Sequence, residues 1–349
     1  MENLIGAPEK KLLEIFSHWE IQPYRVYQIF NWVYHHGARD FGQMTNLSKD
    51  LRNRLRETFR ISLPRVVDKA SSRDGSIKYL MEMEDGAAIE SVWMPAGPRK
   101  TLCISTQVGC RLACSFCQTA TLGLKRNLTA SEIVGQYLRV NEDLSESDRV
   151  TNVVIMGMGE PLDNFNALVD ALRLMISPEA MRISTRKITV STSGLVDKIK
   201  AFQNENLPVN LAISLNATDN ATRDRIMPIN KKYPIETLLA CLRDYPLKPT
   251  RRLTFEYVLL AGINDGDADA KRLARLLRGI PCKINLIPFN PSFSREYRAP
   301  SEERVLSFQN HLISRHYSAF IRKNRGADIL GACGQLAAQS SPVSLPTPQ

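Results

Sequence analysis

The feature that most constrains the fold is an alternation of short apolar segments with amphipathic helical segments between about residues 101 and 322. The predicted strands are a segment that carries Cys103 and residues 152–156, 187–190, 209–215, 253–260, 283–287 and 319–322. Strands that alternate with helices indicate βα units and a parallel sheet. About six such units predict a partial, open (β/α)6 barrel and not a closed barrel of eight strands. The expected fold class is therefore α/β.

Three of the seven cysteines stand close together, as Cys110, Cys114 and Cys117. A structural zinc site requires four ligands, whereas an iron–sulfur cluster that is held by three thiolates keeps one iron open for another ligand. An incomplete zinc knuckle or three buried thiols is the alternative. The C-x-x-x-C-x-x-C spacing, with Phe116 before the last cysteine, resembles the signature of the radical S-adenosylmethionine (SAM) superfamily. That resemblance implies one 4Fe–4S cluster whose open iron binds SAM.

Polar residues follow several of the predicted strands, and chemistry in such barrels lies at the carboxyl ends of the strands. They are the cluster loop, Gly159, Glu160, Ser191, Ser214, Asn216 and Asn290. The run Gly157-x-Gly159-Glu160 allows close backbone approach and offers a carboxylate to an ammonium group, although such a run is often only a tight turn. Ser191 equally suits the N-cap of a helix.

The rest of the chain predicts an N-terminal helical domain, residues 1–61, and a β extension, residues 62–100, that leads into the barrel. Lysine, arginine and aromatic residues are mixed in the helical domain, which suits RNA binding, although most of the aromatics fit a helical core equally well. Asp74-Gly75 and Asp85-Gly86 predict hairpin turns in the extension, and apolar neighbours favour an inward side chain for Glu90. The barrel is expected to span residues 101–336, and residues 337–349 have the composition of a disordered tail.

Charge and cysteine content indicate the partners and the compartment. The net charge of +10 and the pI near 9.3 favour a polyanionic partner. No apolar run is long enough for a membrane span, and the N-terminus lacks the pattern of a signal peptide. We therefore expect a cytoplasmic protein without membrane association, in which cysteines stay reduced.

Several sequence blocks together resemble the RlmN/Cfr family of radical SAM RNA methyltransferases, from about residue 10 to residue 336. The blocks are GCRLACSFCQTA, RNLTASEIVGQ, NVVIMGMGEPLDN, STSG, LAISLNA, IMPINKKYPIETLL, CKINLIPFNP and GACGQLA. The resemblance implies that Cys110, Cys114 and Cys117 bind the cluster, and that SAM contacts Gly159, Glu160, Ser191, Ser214, Leu215, Asn216 and Asn290. One departure concerns Asn216, where the family usually has histidine: asparagine keeps a hydrogen-bonding group but lacks the imidazole.

The resemblance also implies a reaction. Cys333 would be methylated by one SAM, and a second SAM would be cleaved reductively at the cluster, so that two are used per turnover. Glu90 would accept a proton from adenine, and Cys103 would resolve the intermediate by forming a disulfide with Cys333. The implied product is adenosine methylated at carbon 2, in 23S rRNA and in tRNA at the position 3′ of the anticodon.

Other properties follow from the family alone: a monomer, and an electron donor such as flavodoxin. Two alternatives remain. The first is methylation at carbon 8, as in the Cfr branch, against which Pro161 favours carbon 2. The second is an iron–sulfur protein that binds RNA without catalysis, which would require neither Cys103 nor Cys333.

Overall fold

The computed structural model describes residues 1–290 and 296–338, so residues 339–349 of the predicted tail lie outside the described residues. The N-terminal elements are strand β1 (Glu2–Asn3), helices α1 (Glu9–His18), α2 (Tyr24–Phe30) and α3 (Lys49–Thr58), and strand β2 (Phe59–Arg60). Ser48 caps α3, because its hydroxyl accepts a hydrogen bond from the N–H of Leu51 at 3.2 Å. Strands β1 and β2 pair in parallel, and the helices bury Phe16, Phe30 and Leu55 between them.

Three antiparallel strands follow the helices: β3 (Arg65–Ser71), β4 (Ile77–Glu82) and β5 (Ala88–Ala96). The predicted turns at Asp74-Gly75 and Asp85-Gly86 connect them, and both glycines have positive φ angles. Strand β5 pairs with β6 (Arg99–Cys103), the first parallel strand of the barrel region. The extension is therefore continuous with the barrel sheet through main-chain hydrogen bonds.

The remaining elements alternate between strands and helices. They are β7 (Gln107–Gly109), α4 (Gln118–Thr121), β8 (Leu124–Asn127), α5 (Ala130–Asp143), β9 (Asn152–Ile155), α6 (Phe165–Ile176), β10 (Ile188–Thr192), α7 (Val196–Asn204), β11 (Asn210–Ser214), α8 (Asn220–Ile226), α9 (Ile235–Arg243), β12 (Leu253–Leu259), α10 (Asp267–Leu276), β13 (Cys282–Pro288), α11 (Glu302–Ile313) and β14 (Ala319–Ile321).

One sheet unites the barrel and the extension, in the order β14-β13-β12-β11-β10-β9-β6-β5-β4-β3. The seven strands from β14 to β6 are parallel, and helices connect them. This arrangement, six βα units with a seventh strand at the edge of the sheet, confirms the predicted partial barrel. Strand β11 shows why its run of apolar residues predicts a covered parallel strand: consecutive Leu211, Ala212 and Ile213 are all buried.

Parallel pairing places the carboxyl ends of the strands at one edge of the sheet. Ser191 of β10 pairs with Ala212 of β11, and Ser214 of β11 pairs with Glu256 of β12. Polar residues that are far apart in the sequence therefore meet at this edge. Among the helices in the described residues, none has both the length and the apolar character needed to cross a membrane.

Candidate active site

A tight loop after β7 holds the three clustered cysteines. The backbone N–H of Cys110 donates to the carbonyl of Gly123 at 3.0 Å, and Cys117 is the N-cap of α4. Gly109 has φ +79°, and a Cβ at this position would stand 1.7 Å from the carbonyl oxygen of Gly123. Only glycine lets the two arms of the hairpin approach so closely. The N–H of Ser115 donates to the carbonyl of Ile226, which fixes the loop to the end of α8.

The three thiols lie near one another and are partly shielded from solvent. Burial raises the pKa of Cys110 to about 12 and raises the pKa of Cys114 and of Cys117, and the nearby sulfur of Cys117 raises the pKa of Cys110 and of Cys114 further. Without a bound metal this arrangement therefore favours three neutral thiols. A bound metal reverses the preference, because a coordinating thiol is deprotonated.

The donor set fits an iron–sulfur cluster better than a single metal ion. Within residues 1–290 and 296–338, no group of three or more His, Cys, Asp or Glu side chains is arranged to hold one metal ion. A 4Fe–4S cluster does not need such convergence, because each thiolate binds a different iron. Cys114 and Cys117 also line a pocket, so an open iron would face that pocket.

We call this depression at the carboxyl ends of the strands the barrel pocket. Its wall includes Cys114, Cys117, Gly159, Glu160, Ser191, Ser214, Glu256, Asn216, Asn290, Arg322 and Cys333. The structure thus brings together most of the side chains that the sequence nominated. Leu215 is fully buried in the main core and does not line the pocket, so its side chain is not among those that a ligand in the pocket would contact.

Glu160 presents a buried carboxylate to the barrel pocket. It accepts hydrogen bonds from the N–H of Ser193 at 2.8 Å and of Leu162 at 3.2 Å. Burial raises its pKa, while these N–H donors act in the opposite direction. The adjoining Gly159 has φ +99°, and a Cβ there would stand 2.5 Å from the Cβ of Gln107. The chain at Gly159 therefore passes close to Gln107, and this packing fixes the position of the neighbouring carboxylate. A buried carboxylate at the pocket wall suits a ligand that carries an ammonium group.

Asn290 supplies an acceptor that lacks a partner among the described residues. Its Nδ2 donates to the carbonyl of Cys333 at 3.3 Å, whereas its Oδ1 is buried and unpaired. Buried polar atoms in folded proteins nearly always have a hydrogen-bond partner. An unpaired acceptor in the wall of the barrel pocket therefore fits a ligand that donates there.

Asn216 has a structural role. Its backbone adopts φ +57°, a left-handed conformation that asparagine tolerates better than most residues. Its Oδ1 accepts from the N–H of Val258 at 2.9 Å, and its Nδ2 contacts the sulfur of Met227 at 3.2 Å. The side chain thus joins the ends of β11 and β12 while it lines the barrel pocket.

Cys103 and Cys333 meet in a smaller cavity beside the barrel pocket, although 230 positions separate them in the sequence. Cys333 is exposed, and Cys103 at the end of β6 is buried. Burial raises the pKa of Cys103 to about 12, and the neighbouring Cys333 adds to the shift. The two thiols therefore line one cavity, which sequence spacing alone does not reveal.

Arg322 is a residue of the site that the sequence analysis missed. It follows β14, lines both the barrel pocket and the cavity of the two thiols, and interacts electrostatically with Cys103 and Cys333. Its Nη1 lies 3.7 Å from Oε2 of Glu256, a second missed residue. The only sequence signal for Glu256 is one carboxylate in the otherwise apolar strand LTFEYVL.

Glu90 lies on the strand beside Cys103 but outside the wall of the barrel pocket. Strand register pairs Val92 of β5 with Cys103 of β6, and Glu90 is two residues from Val92 on the same face. Its carboxylate is 1% exposed and lies 2.8 Å from Nζ of Lys78. The inward orientation that the sequence favoured is the one observed.

The aromatic residues of the N-terminal helices divide between core and surface. Phe30 and Tyr34 pack edge to face, and the hydroxyl of Tyr34 accepts from the N–H of Gly6. Tyr24 is exposed, and the guanidinium of Arg25 lies over its ring at 4.8 Å. An exposed ring beside a cation has the chemistry that stacks on nucleobases.

Comparison with known proteins covers almost the whole chain. Residues 2–61 match the family model described as "Ribosomal RNA large subunit methyltransferase N-terminal domain", and residues 104–274 match the model of the radical SAM superfamily. A "Dual-specificity RNA methyltransferase RlmN" from Geobacter sulfurreducens is 50% identical over 90% of this chain and 86% of its own length. A protein of the same name from Anaeromyxobacter dehalogenans is 46% identical over 97% of this chain and 93% of its own length.

A solved structure agrees with these relatives. The crystal structure of a radical SAM methyltransferase from Sphaerobacter thermophilus superposes with a TM-score of 0.91 and is 42% identical. The match covers 97% of this chain and 100% of that chain. The similarity therefore extends from the N-terminal helices through the barrel and includes the segment that carries Cys333.

Proposed function

The chain belongs to the RlmN family of radical SAM RNA methyltransferases, and we propose that it methylates carbon 2 of adenosine in 23S rRNA and in tRNA, at the position 3′ of the anticodon. The observation that carries this proposal is the meeting of Cys103 and Cys333 beside the barrel pocket. Neither thiol is needed to hold a cluster, so two converging thiols at this place support a chemical role. Adenine carbon 2 is electrophilic, which excludes simple displacement at the methyl group of SAM and calls for a protein-bound carrier of the methyl carbon.

The cofactors of the proposal are one 4Fe–4S cluster and SAM, two molecules of SAM being used per turnover. Cys110, Cys114 and Cys117 would hold the cluster, which when bound supplies the electron for reductive cleavage of SAM. Glu160 would bind the ammonium group of SAM, while Ser191, Ser214 and Asn290 would offer hydrogen bonds from the surrounding strand ends. Gly159 would let the ligand approach the backbone, and Asn216 would complete the wall, with Leu215 in the core between Ser214 and Asn216.

The chain's own residues then carry the methyl carbon and the proton. Cys333 would accept a methyl group on its sulfur, because it is the exposed thiol at the mouth of the barrel pocket. The methyl group on this sulfur would then give up one hydrogen atom to the 5′-deoxyadenosyl fragment of the second SAM, and its carbon would bond to adenine carbon 2. Glu90 would accept the proton that leaves carbon 2, and one electron would return to the cluster. Cys103 would attack the sulfur of Cys333, so that the bond between this sulfur and the transferred carbon breaks and a disulfide forms. The electron pair of the broken bond passes to the transferred carbon, which takes up a proton and becomes the methyl group of the product.

Three properties of the working enzyme belong to the same proposal. The Cys103–Cys333 disulfide must be reduced again after each turnover, which favours a cytoplasmic location. A flavodoxin or a comparable electron donor would reduce the cluster. We infer a monomer, because every proposed group of the site comes from this one chain.

The test uses anaerobically reconstituted protein, SAM, a reductant and unmodified rRNA and tRNA, with mass spectrometry of the nucleosides against authentic standards. We expect 2-methyladenosine from the wild type and from Cys241→Ala, a matched control at a cysteine remote from the site. Cys333→Ala should bind RNA and yield no methyladenosine. Methylation that persists in Cys333→Ala would refute the mechanism, and 8-methyladenosine would refute the assignment of carbon 2.

A further inference from the structure

The carboxylate of Glu90 is fully engaged in this structure. Its Oε1 lies 2.8 Å from Nζ of Lys78, and its Oε2 accepts from the backbone N–H groups of Ala337 at 2.8 Å and of Ala338 at 3.1 Å. A buried carboxylate requires such partners, because an unpaired charge away from water is strongly destabilising. Two of the three partners come from the segment that follows Cys333, 247 and 248 positions away in the sequence.

This engagement is incompatible with the role of Glu90 as proton acceptor from a base. The side chain is 1% exposed, so a nucleobase cannot reach its oxygens while residues 337 and 338 cover them. A general base must come within hydrogen-bonding distance of the proton that it removes. Glu90 can therefore act on adenine only after this segment has moved.

The same segment, residues 331–338, positions Cys333. The carbonyl of Gly334 accepts from the N–H of Gln118 at 2.7 Å, and the carbonyl of Leu336 accepts from the hydroxyl of Thr119 at 2.7 Å. Both donors belong to α4, whose N-cap is Cys117 of the cluster loop. Cys333 is exposed, whereas Ala332, Gln335, Leu336 and Ala337 around it are buried. The thiol thus stands at the tip of a turn whose distal end is fastened to Glu90.

Glycine makes this turn compatible with movement. Gly334 has φ +83°, and Gly331 precedes the cysteine by two positions. These residues can change their backbone angles more readily than others. Two side chains anchor the distal end: the hydroxyl of Thr119 at Leu336, and the carboxylate of Glu90 at Ala337 and Ala338. The pair of hydrogen bonds to Glu90 is charge-assisted, so replacement of this one side chain removes its strongest side-chain contact.

We propose that Lys78 and Glu90 form a positioning pair that holds residues 331–338 in place, so that Cys333 stays at the barrel pocket for methylation. We call this interaction the latch. RNA binding would break the latch and make the carboxylate of Glu90 available to the substrate. This inference rests on the proposed function and adds an order of events to it. While Cys333 is being methylated, Glu90 accepts hydrogen bonds from the backbone of Ala337 and Ala338. Afterwards it accepts the proton from the substrate adenine. Lys78 is the positioning residue, because its ammonium group pairs with Oε1 of Glu90 and leaves Oε2 to the N–H groups of Ala337 and Ala338.

Hydrogen exchange of the full chain tests the latch directly. Without RNA, Glu90→Gln and Lys78→Met should each speed exchange in the peptide that contains the Ala337 and Ala338 amides by about ten-fold or more, since each removes part of a charged hydrogen-bond network. Lys69→Met is the matched control, because Lys69 lies on the neighbouring strand β3 with a side chain that is 42% exposed. Unchanged exchange in both Glu90→Gln and Lys78→Met would overturn the proposal.

A second measurement separates positioning from general structural damage. Methylation of Cys333 by SAM, followed by peptide mass spectrometry in the absence of RNA, should slow in Lys78→Met and recover in Lys78→Arg, which restores the cation. If Cys333 methylation stays slow in Lys78→Arg and is also slow in Lys69→Met, damage to the sheet, and not loss of the latch, causes the defect.

The release step has its own readout. Adding an unmodified tRNA transcript to the wild type should speed exchange of the Ala337 and Ala338 amides, and slower or unchanged exchange during active methylation would overturn the proposed release. Failure of the wild type to methylate any RNA would instead refute the proposed function. The comparison of variants without RNA would in that case still decide whether the latch exists.

Discussion

Replacement of Arg223 by methionine tests how the strand ends that form the barrel pocket are held. Arg223 lies on α8 and is completely buried. Its Nη2 donates to the carbonyl of Ser193 at 2.7 Å, its Nε to the carbonyl of Leu215 at 3.0 Å, and its Nη1 to Oδ1 of Asn230 at 3.1 Å. One guanidinium thus joins the segments that follow β10 and β11 to the region after α8. Burial lowers its pKa to about 10, so that it remains charged at neutral pH.

The magnitude follows from these contacts. A hydrogen bond to a charged group contributes about 1.5–3 kcal/mol, so three of them contribute roughly 4.5–9 kcal/mol. Methionine recovers part of this sum, because it fills some of the space and removes a charge that is unfavourable to bury. We therefore expect Arg223→Met to lower the free energy of unfolding by about 3–5 kcal/mol.

Urea denaturation followed by circular dichroism measures this difference. Arg225→Met is the matched control, since Arg225 is exposed on the same helix and its replacement should change the free energy of unfolding by about 0.5 kcal/mol or less. If Arg223→Met stays within about 1 kcal/mol of the wild type, the buried guanidinium does not hold the strand ends and the reasoning fails.

Three further predictions concern the loop, the strand end and the thiols. Gly109→Ala should lose its iron and sulfide after reconstitution, because the added Cβ would stand 1.7 Å from the carbonyl oxygen of Gly123. Gly123→Ala is the control and should retain more iron and sulfide, because no atom lies within 4 Å of the added Cβ. Equal iron and sulfide contents in the two variants would contradict the argument. Asn216→Ala should lower the free energy of unfolding by about 2 kcal/mol, since it loses a hydrogen bond and keeps a left-handed backbone, and Asn216→Gly should recover about 1 kcal/mol of that in the same urea titration. At pH 7 iodoacetamide should alkylate Cys333 well before Cys103, whose pKa of about 12 leaves almost no thiolate; peptide mapping that finds Cys103 modified first would contradict this order.

Local pattern determined the fold class and the cluster loop. The alternation of apolar strands with amphipathic helices predicted six βα units, and the observed parallel strands from β6 to β13 follow it. The placement of Ser191, Ser214 and Asn290 at one edge was also predictable, because parallel strands bring their carboxyl ends together. The three-cysteine spacing was informative for a similar reason: its residues act within one short loop.

The sequence was ambiguous where one residue type serves two purposes. Asn216 stands where the family usually has histidine, and the sequence could not decide what its side chain does. The structure shows that its amide joins β11 to β12 in a left-handed conformation, a role that depends on where Val258 lies in the neighbouring strand. Ser191 raised a similar question, because it suited the N-cap of a helix equally well, and the structure places it within strand β10, opposite Ala212 of β11.

By itself, then, the sequence determined the elements, their parallel order and the cysteine motif, because each of these depends on residues that are close together in the chain. Only the tertiary structure decided that Arg322 lies between the two thiols and Glu256, that Arg223 holds the strand ends, and that Glu90 binds the backbone beyond Cys333. These contacts join residues that are distant in sequence, and strand register and packing fix them. A local sequence pattern does not predict which distant backbone N–H group will donate a hydrogen bond to a buried carboxylate such as that of Glu90.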